Sequence, residues 1–358
     1  MAGIYGLVGL AETDYAYALT AGQDIIYRGT QMYLDMVNTE VDKALAAFVQ
    51  MDTFLFAERY KLAGGGTMQR RGRATQPAST KASGSYDVGY PLEDFSDALS
   101  ADDVTLAYMT PGEYQQHVDN IAIRYTNTVR TELLVAQLSS VNRTFIDEFL
   151  PTPTVTAKPL ANGDTDTYPP LIGTRTEITA HQHYVGTNYA VSAISNTINP
   201  VLPAVLALQE HTGFPQGGGS VAYFAKSDII AKLAGLTGYV AIPDIDVRYG
   251  VNQNLPTNLP SVPGTIMGRF SGAWIIDWEW IPSNYAFAID LNQPAPLKRR
   301  VDPPGTGLSS RLSMVAQRSD FPIESAIWRA RFGFGVANRL NGYAQFFTGS
   351  TSYTDPTL

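Results

Sequence analysis

Apolar and polar positions alternate at helical spacing in two long segments of the first half of the chain. From Asp24 to Gln50 the apolar residues fall near one face, which predicts an amphipathic helix. A second helix is predicted to run from Thr110 to about Leu138. Thr110 can cap this helix, Pro111 suits its first turn, and Glu113 completes a capping box. At 1.5 Å per residue the second helix is about 40 Å long, a spine for other elements.

The remaining pattern predicts short helices and many short strands. A helix is predicted near Asn199–His211, and another begins with Ser227 as its cap and closes near Gly238. Strands are predicted where apolar or β-branched runs end at Gly, Pro or Asn, at Phe54–Tyr60, within 152–180, at Val221–Ala225, Ile266–Phe270, Ala273–Asp277 and Tyr285–Asp290. Because strands and helices do not alternate as βαβ units, we expect an α+β fold with two interleaved lobes.

The most unusual segment follows the strand predicted at Phe54–Tyr60. It contains Gly64–Gly66 and then a polar run of Arg, Ser, Thr, Gln, Gly and Pro that extends to Tyr90 with little to bury. A compact monomer rarely keeps a polar excursion of this length without a use for it. The segment is therefore either disordered or a hairpin that becomes ordered against a neighbouring subunit.

Composition favours a protein that hides much of its surface. Charged residues make up 16% of the 358 residues, below the roughly 25% of an ordinary soluble domain, and Tyr, which interfaces favour, occurs 20 times. A net charge of −8 excludes a whole-chain basic stripe for reading nucleic acid. The one basic cluster, Arg70, Arg71 and Arg73, is interpreted as a solvated loop first and a phosphate contact second.

Other features narrow the class of protein further. Cysteine is absent, so no disulfide, thiolate nucleophile or thiolate metal site can form. No apolar run approaches the length that spans a bilayer, and the apolar N-terminal stretch lacks a basic leading region and a cleavage signal. We therefore expect a soluble protein, made in a cytoplasm, without a membrane partner.

Three groups of side chains could carry chemistry, and each also has an ordinary structural interpretation. His181 and His183 would share one face of a strand, with Glu177 close in sequence, but no third metal ligand can be assigned. Two carboxylate pairs would share strand faces, as a metal or glycosidase site requires; these are Asp244 with Asp246 and Asp277 with Glu279. The sequence contains no phosphate-binding loop of the form G-x-x-x-x-G-K-[ST], no G-x-S-x-G nucleophile elbow and no H-E-x-x-H zinc motif. The sequence predicts no catalytic residue, no cofactor and no metal site, and therefore no enzyme.

Three stretches, taken in their order along the chain, resemble the HK97-like fold of tailed-bacteriophage major capsid proteins. The first is the polar hairpin at 53–95 with the capped helix that follows it. The second joins Gly268–Asp277 to Ile281–Asp290, and the third is Arg331–Leu340 with the ending Tyr353–Thr357. The resemblance covers the chain from about residue 24 to its end.

The resemblance implies how the chain is organised. It places an N-terminal arm and helix at 1–52 and the extended loop at 53–100. A peripheral domain with its spine helix and an inserted hairpin occupies 101–180, an axial domain occupies 181–300, and 301–358 return to the peripheral domain.

The resemblance also implies self-assembly into pentamers and hexamers around double-stranded DNA, as a virion capsid built in the host cytoplasm. The extended loop would lie over an adjacent subunit, and we expect contacts between subunits at Gly64, Gly65, Arg70, Arg71, Arg73 and Tyr86. Because the arm-like helix begins within the first thirty residues, a separate scaffolding protein is expected. A portal and a decoration protein are further implied partners, and the packaged DNA would be contacted non-specifically.

Two alternatives stay open. An encapsulin-like shell that encloses a cargo enzyme would share the fold. A metal-dependent hydrolase that uses His181, His183 and one carboxylate pair belongs to a different class, and it predicts bound metal and a monomer or small oligomer.

Overall fold

The computed structural model describes residues 23–61, 85–102, 109–147, 154–161, 182–210, 220–242, 262–320 and 323–358, with positions 68, 71 and 73. The helices are α1 (Gln23–Leu45), α2 (Pro111–Leu138), α3 (Val201–Gln209) and α4 (Ser227–Ala234). The strands are β1 (Val49–Thr53), β2 (Ala57–Lys61), β3 (Ser85–Gly89), β4 (Glu93–Asp102), β5 (Arg143–Ile146), β6 (Thr154–Ala157), β7 (Tyr184–Gly186), β8 (Val221–Ala225), β9 (Val240–Ala241), β10 (Thr265–Phe270), β11 (Ala273–Asp277), β12 (Tyr285–Asp290), β13 (Leu297–Arg300), β14 (Ser313–Asp320), β15 (Ile323–Val336) and β16 (Tyr343–Phe346). None of the helices in these ranges is long and apolar enough to cross a membrane.

The chain divides into two compact units, the first formed by the described parts of Met1–Lys43, Leu92–Arg130 and Val301–Phe332. In this unit the first ten residues of β15 pair antiparallel with all of β4, and β14 pairs with the other edge of β15. The sheet buries Trp328 and Phe332 completely or nearly so. Tyr125 of α2 meets the Phe332 ring edge-on at 6.3 Å between centroids, so the long helix is fixed to the sheet by aromatic contacts.

The second unit comprises Ala44–Pro91, Thr131–Arg300 and Gly333–Leu358 in their described parts. It is built on a seven-stranded sheet in the order β7-β16-β12-β8-β11-β10-β9. Every residue of the central strand β8 is buried, because β8 has a neighbour on each edge and packed side chains on each face. Residues of α3 and α4 cover one face, while Phe48 and Trp278 pack on Phe224, which points to the other face.

Six further strands of the second unit lie outside that sheet, two of them the antiparallel pair β2 and β3. β1 pairs parallel with β13, and β13 pairs antiparallel with the last four residues of β15. β5 pairs antiparallel with β6 to form a separate two-stranded sheet. A buried ion pair connects the end of β13 to the residue after β5: Arg300 Nη2 donates to Asp147 Oδ2 at 2.6 Å. Arg300 Nη1 also donates to the carbonyl of Tyr90, which follows β3, at 3.0 Å.

The predicted spine helix is confirmed with its cap. The backbone N–H of Glu113 donates to Thr110 Oγ1 at 3.3 Å, and Glu113 Oε2 accepts the N–H of Thr110 at 2.8 Å. The strands predicted at Val221–Ala225, Ala273–Asp277 and Tyr285–Asp290 are confirmed at those bounds.

Three local predictions are wrong at their ends. The first helix ends at Leu45, not Gln50, because residues 49–53 pair with β13. Ser227 does not cap α4: it is the first helical residue, Lys226 is the N-cap without a side-chain hydrogen bond, and the helix ends at Ala234. The strand predicted at Phe54–Tyr60 begins only at Ala57.

Removing the cap of α2 tests how the spine helix is stabilised. We expect Thr110→Ala to lower the free energy of unfolding by about 1 kcal/mol, because it leaves a first-turn N–H without its acceptor. Thr128→Ala on the same helix is the matched control, since this exposed hydroxyl only donates to the carbonyl of Arg124. Urea denaturation followed by circular dichroism measures both; equal midpoints for the two variants would contradict a stabilising cap.

Candidate interaction surface

The candidate surface is the β2–β3 hairpin with the residues at its base. The two strands pair antiparallel in continuous register, from Ala57 opposite Gly89 to Lys61 opposite Ser85. On the exposed face Arg59 donates to both carboxylate oxygens of Asp87, at 2.6 and 2.7 Å. A two-stranded ribbon is marginal on its own, so its position depends on what holds its base.

The base of the hairpin is held by a cluster of polar groups, defined here as Glu58, Tyr60, Tyr90 and Lys298 and called the base cluster. Lys298 Nζ donates to Glu58 Oε2 at 2.6 Å, and this carboxylate oxygen also accepts the hydroxyls of Tyr60 and Tyr90. The two tyrosine oxygens lie 2.7 Å apart. The carboxylate is thus saturated with donors from β2, β13 and the residue that follows β3.

Burial and hydrogen bonding set the ionisation of the base cluster. Burial opposes charge on Glu58, but hydrogen bonds from Lys298 and Tyr60 outweigh it and hold the pKa of Glu58 below its ordinary value. Burial likewise disfavours a charged Lys298, yet the Glu58 partner raises the pKa of Lys298. Burial, with Tyr60 beside it, raises the pKa of the enclosed Tyr90. The pair is therefore ionised at neutral pH.

The structure locates three of the six residues predicted to contact a neighbouring subunit. The Tyr86 ring stacks on Tyr60 with centroids 5.5 Å apart, and the guanidinium of Arg339 lies 5.3 Å from its centroid. The Tyr86 side chain therefore packs against residues of its own chain at the base of the hairpin. Arg71 and Arg73 are exposed. The other three, Gly64, Gly65 and Arg70, lie outside the described residues, so the intersubunit role of the set stays a prediction.

An apolar patch at the foot of the hairpin was missed by the sequence interpretation. Phe54, Leu55 and Phe56 connect β1 to β2 and are 51%, 56% and 45% exposed, and Met51 on β1 is 53% exposed. Three consecutive large apolar side chains in water are unusual unless a partner covers them. The signal was present in the sequence, but an apolar run of this kind is also typical of a buried strand.

The histidine hypothesis receives little support from the geometry. His183 is completely buried, and its Nδ1 lies 2.5 Å from the carbonyl oxygen of Gly342. Its ring packs edge-on to Tyr343 at 6.2 Å. His181 and Glu177 lie outside the described residues. Within the described ranges, no group of three His, Asp or Glu side chains is arranged to hold a metal ion.

The carboxylate pair that the structure describes does not form the predicted strand-face site. Asp277 is the last residue of β11 and Glu279 lies beyond the strand, in a turn, so the prediction that this pair shares a strand face is wrong. Burial, with Glu279 and Asp228 nearby, raises the pKa of Asp277. The other pair, Asp244 and Asp246, lies outside the described residues.

Neutralising the base cluster should loosen the hairpin in a pH-dependent way. Because the folded pKa of Glu58 is lowered, its stabilisation is present above the unfolded value near 4.5 and is lost as pH falls below it. We expect Glu58→Gln to cost about 2 kcal/mol at pH 7 and progressively less below pH 4.5. Glu40→Gln, which removes an exposed pair with Lys43, is the control. Urea denaturation across pH measures the difference; a pH-independent cost would refute the ion-pair assignment.

Comparison with known proteins identifies the fold. No protein-family model and no curated protein matches the sequence. A solved structure from Mycobacterium phage Patience has a TM-score of 0.67 at 17% identity and covers 93% of this chain and 90% of its own. The asymmetric unit of the bacteriophage PhiM1 mature capsid has a TM-score of 0.51 at 8% identity and covers 84% of this chain and 86% of its own. At these identities the likeness is one of fold, and the chain has the predicted HK97-like α+β fold seen in phage capsids.

Proposed function

We propose that the chain is the major capsid protein of a tailed phage, and that its copies form pentamers and hexamers of an icosahedral head around double-stranded DNA. The observation that carries the proposal is the fold likeness over nearly the whole chain, 93% in the first comparison. A domain inserted into another architecture would match only in part. The protein's place is then the virion capsid, and its work is structural.

The hairpin and its foot support this proposal physically. β2 alternates exposed and half-buried positions, and β3 does the same until its last two residues, Val88 and Gly89, which are buried. The apolar patch of Met51 and Phe54–Phe56 adds surface that water does not favour. A neighbouring copy that covers both would remove this cost, and symmetry would repeat the contact around the shell. Each contact can then be weak while the shell is stable.

The organisation given by the resemblance forms part of the proposal. We assign the arm to 1–52, the extended loop to 53–100, the peripheral domain to 101–180 and 301–358, and the axial domain to 181–300. A separate scaffolding protein, a portal and a decoration protein are proposed partners, and DNA contact is proposed to be non-specific. Nothing within the described ranges favours the metal-dependent hydrolase, because His183 is enclosed by its own chain.

The size of the purified protein tests the proposal. We expect capsomers, shells or tubes when the chain is expressed with and without its genomic neighbours, measured by size-exclusion chromatography with light scattering and by negative-stain microscopy. Terminase and portal genes beside it would separate a virion from an encapsulin-like shell. A compact monomer under every condition would contradict the proposal.

Shortening the extended loop separates folding from assembly. We expect deletion of residues 64–84 to leave a folded subunit, because β2 ends at Lys61 and β3 begins at Ser85, while assembly into capsomers drops sharply. Circular dichroism and chromatography on the same sample measure the two properties. Outright unfolding of the deletion variant would mean that the loop belongs to the subunit's own core.

A further inference from the structure

A cleft of about 470 Å³ lies in the second unit, beside the seven-stranded sheet. One wall is the link between α1 and β1 with the first residues of β1, and the other is the last residue of β12 with the loop that follows it. Small and amide side chains dominate the walls, and the residues relevant here are Ala46, Ala47, Gln50, Asp290, Gln293 and Ala295. Among the described residues that line the cleft, Asp290 is the one ionisable group.

The carboxylate of Asp290 is buried, and only one of its two oxygens accepts a hydrogen bond from the residues that the structure describes. Asp290 is 1% exposed, and its Oδ1 accepts the N–H of Asn292 at 3.0 Å. Its Oδ2 has no hydrogen-bond partner among the residues that the structure describes. A buried carboxylate is costly unless a cation or several donors compensate it. Asp290 lines the cleft, and a positively charged donor in the cleft would satisfy this buried oxygen once the side chain turns toward it.

The end of β12, which carries Asp290, is held in place by its own chain. Asn341 is buried and its side chain makes three bonds: Oδ1 accepts the N–H of Asp290 at 2.8 Å, and Nδ2 donates to the carbonyls of Asp290 and Pro294 at 3.0 and 2.9 Å. The N–H of Leu291 donates to the carbonyl of Ser220 at 2.9 Å. The backbone on this side of the cleft therefore loses little freedom on binding, which favours affinity.

We propose that the cleft at Asp290 binds a guanidinium or ammonium group carried by a second copy of this chain. The inference rests on the proposed function and adds a specific contact to it. A single carboxylate suits one cationic side chain, whereas Ca²⁺ or Mg²⁺ needs more oxygen ligands, and no group of three acidic or His residues exists in the described ranges. Phosphates of nucleic acid would be repelled by the same charge.

The extended loop of the second copy is the best source of the cation. Residues 62–84, called the cationic segment, contain Arg70, Arg71, Arg73 and Lys81 and no Asp or Glu, in a chain whose net charge is −8. Arg71 and Arg73 are exposed. The acidic remainder of another copy is thus the complementary surface, and an arginine can pair with a carboxylate through two N–H donors.

An assembly measurement with Asp290→Asn tests the cleft. The amide keeps the acceptor for the Asn292 N–H but removes the charge, so the urea midpoint of the subunit should be unchanged or higher. The protein concentration needed for half-maximal assembly should rise about tenfold, the worth of one charge-assisted hydrogen bond. Asp35→Asn, on the exposed face of α1, makes the same change of net charge and is the control. Equal assembly of the two variants would overturn the proposal.

A crosslink identifies the source of the cation. The native chain has no cysteine, so Ala46→Cys with Arg73→Cys places two thiols only, at the cleft rim and in the cationic segment. We expect oxidation of intact particles to give covalent oligomers. Ala46→Cys with Lys232→Cys, an exposed position on α4, should give none.

The outcomes separate the proposals. If the wild-type chain never assembles, the proposed function fails. If it assembles, but Asp290→Asn behaves like Asp35→Asn and the 46–73 pair crosslinks no more than the 46–232 pair, only this inference fails. If Arg71→Gln with Arg73→Gln lowers the DNA content of particles and the 46–73 crosslink is absent, the cationic segment faces nucleic acid, and the assignment of the occupant is overturned. Should Asp290→Asn unfold the subunit, the crosslink alone decides.

Discussion

The ion pair between Glu58 and Lys298 is the contact on which the position of the β2–β3 hairpin depends. The hairpin shares one small apolar cluster with the second unit, in which Val88, Tyr90 and Ala337 are buried, so its direction is set where it meets the rest of that unit. There, one carboxylate oxygen accepts donors from Lys298, Tyr60 and Tyr90, and the pair lies largely out of solvent. A buried polar network stabilises one geometry only when its members are satisfied. The base cluster meets that condition, and it fixes the position of a hairpin that has few apolar residues.

Each of the two units is built on a strand that is buried at the centre of its sheet. In the second unit, the fully buried strand β8 lies between β11 and β12 and is covered on both faces. In the first unit, β15 is the middle strand between β4 and β14 and buries Trp328. Most of the apolar side chains are used in these cores. Among the described large apolar side chains that stay exposed, Phe54–Phe56 are three in a row, with Met51 close by in sequence, and they offer surface for a partner.

The sequence predicted the elements whose signals are local. The capping box of Thr110 and Glu113 and the apolar run of β8 determine their own structure, and both were found where expected. The layout of these elements also led to the HK97-like fold. The predictions failed where a residue's secondary structure depends on a segment that is distant in the sequence. Residues 49–53 form a strand only because β13, some 250 positions later in the chain, pairs with them, and periodicity cannot register such a partner.

The candidate surface was predictable in location but not in detail. The polar composition of 62–84 predicted an extended loop, whereas the base cluster joins β2 to a lysine on β13 and could be found only from the tertiary structure. The foot of the hairpin illustrates the same limit: Phe54–Phe56 has a strand's composition, yet the strand begins at Ala57 and the aromatic residues are left exposed. Asp290 gave no local sequence signal, because its importance arises from burial beside a cleft.

A cryo-electron microscopy reconstruction of particles assembled from the chain is the most direct test of a shell built through the extended loop. We predict five- and six-fold arrangements of copies in which the hairpin is rooted at Glu58 and Lys298 of its own subunit and residues 62–84 lie on a neighbouring subunit. Particles in which residues 62–84 fold back onto their own subunit, or samples that hold only separate monomers, would contradict this account.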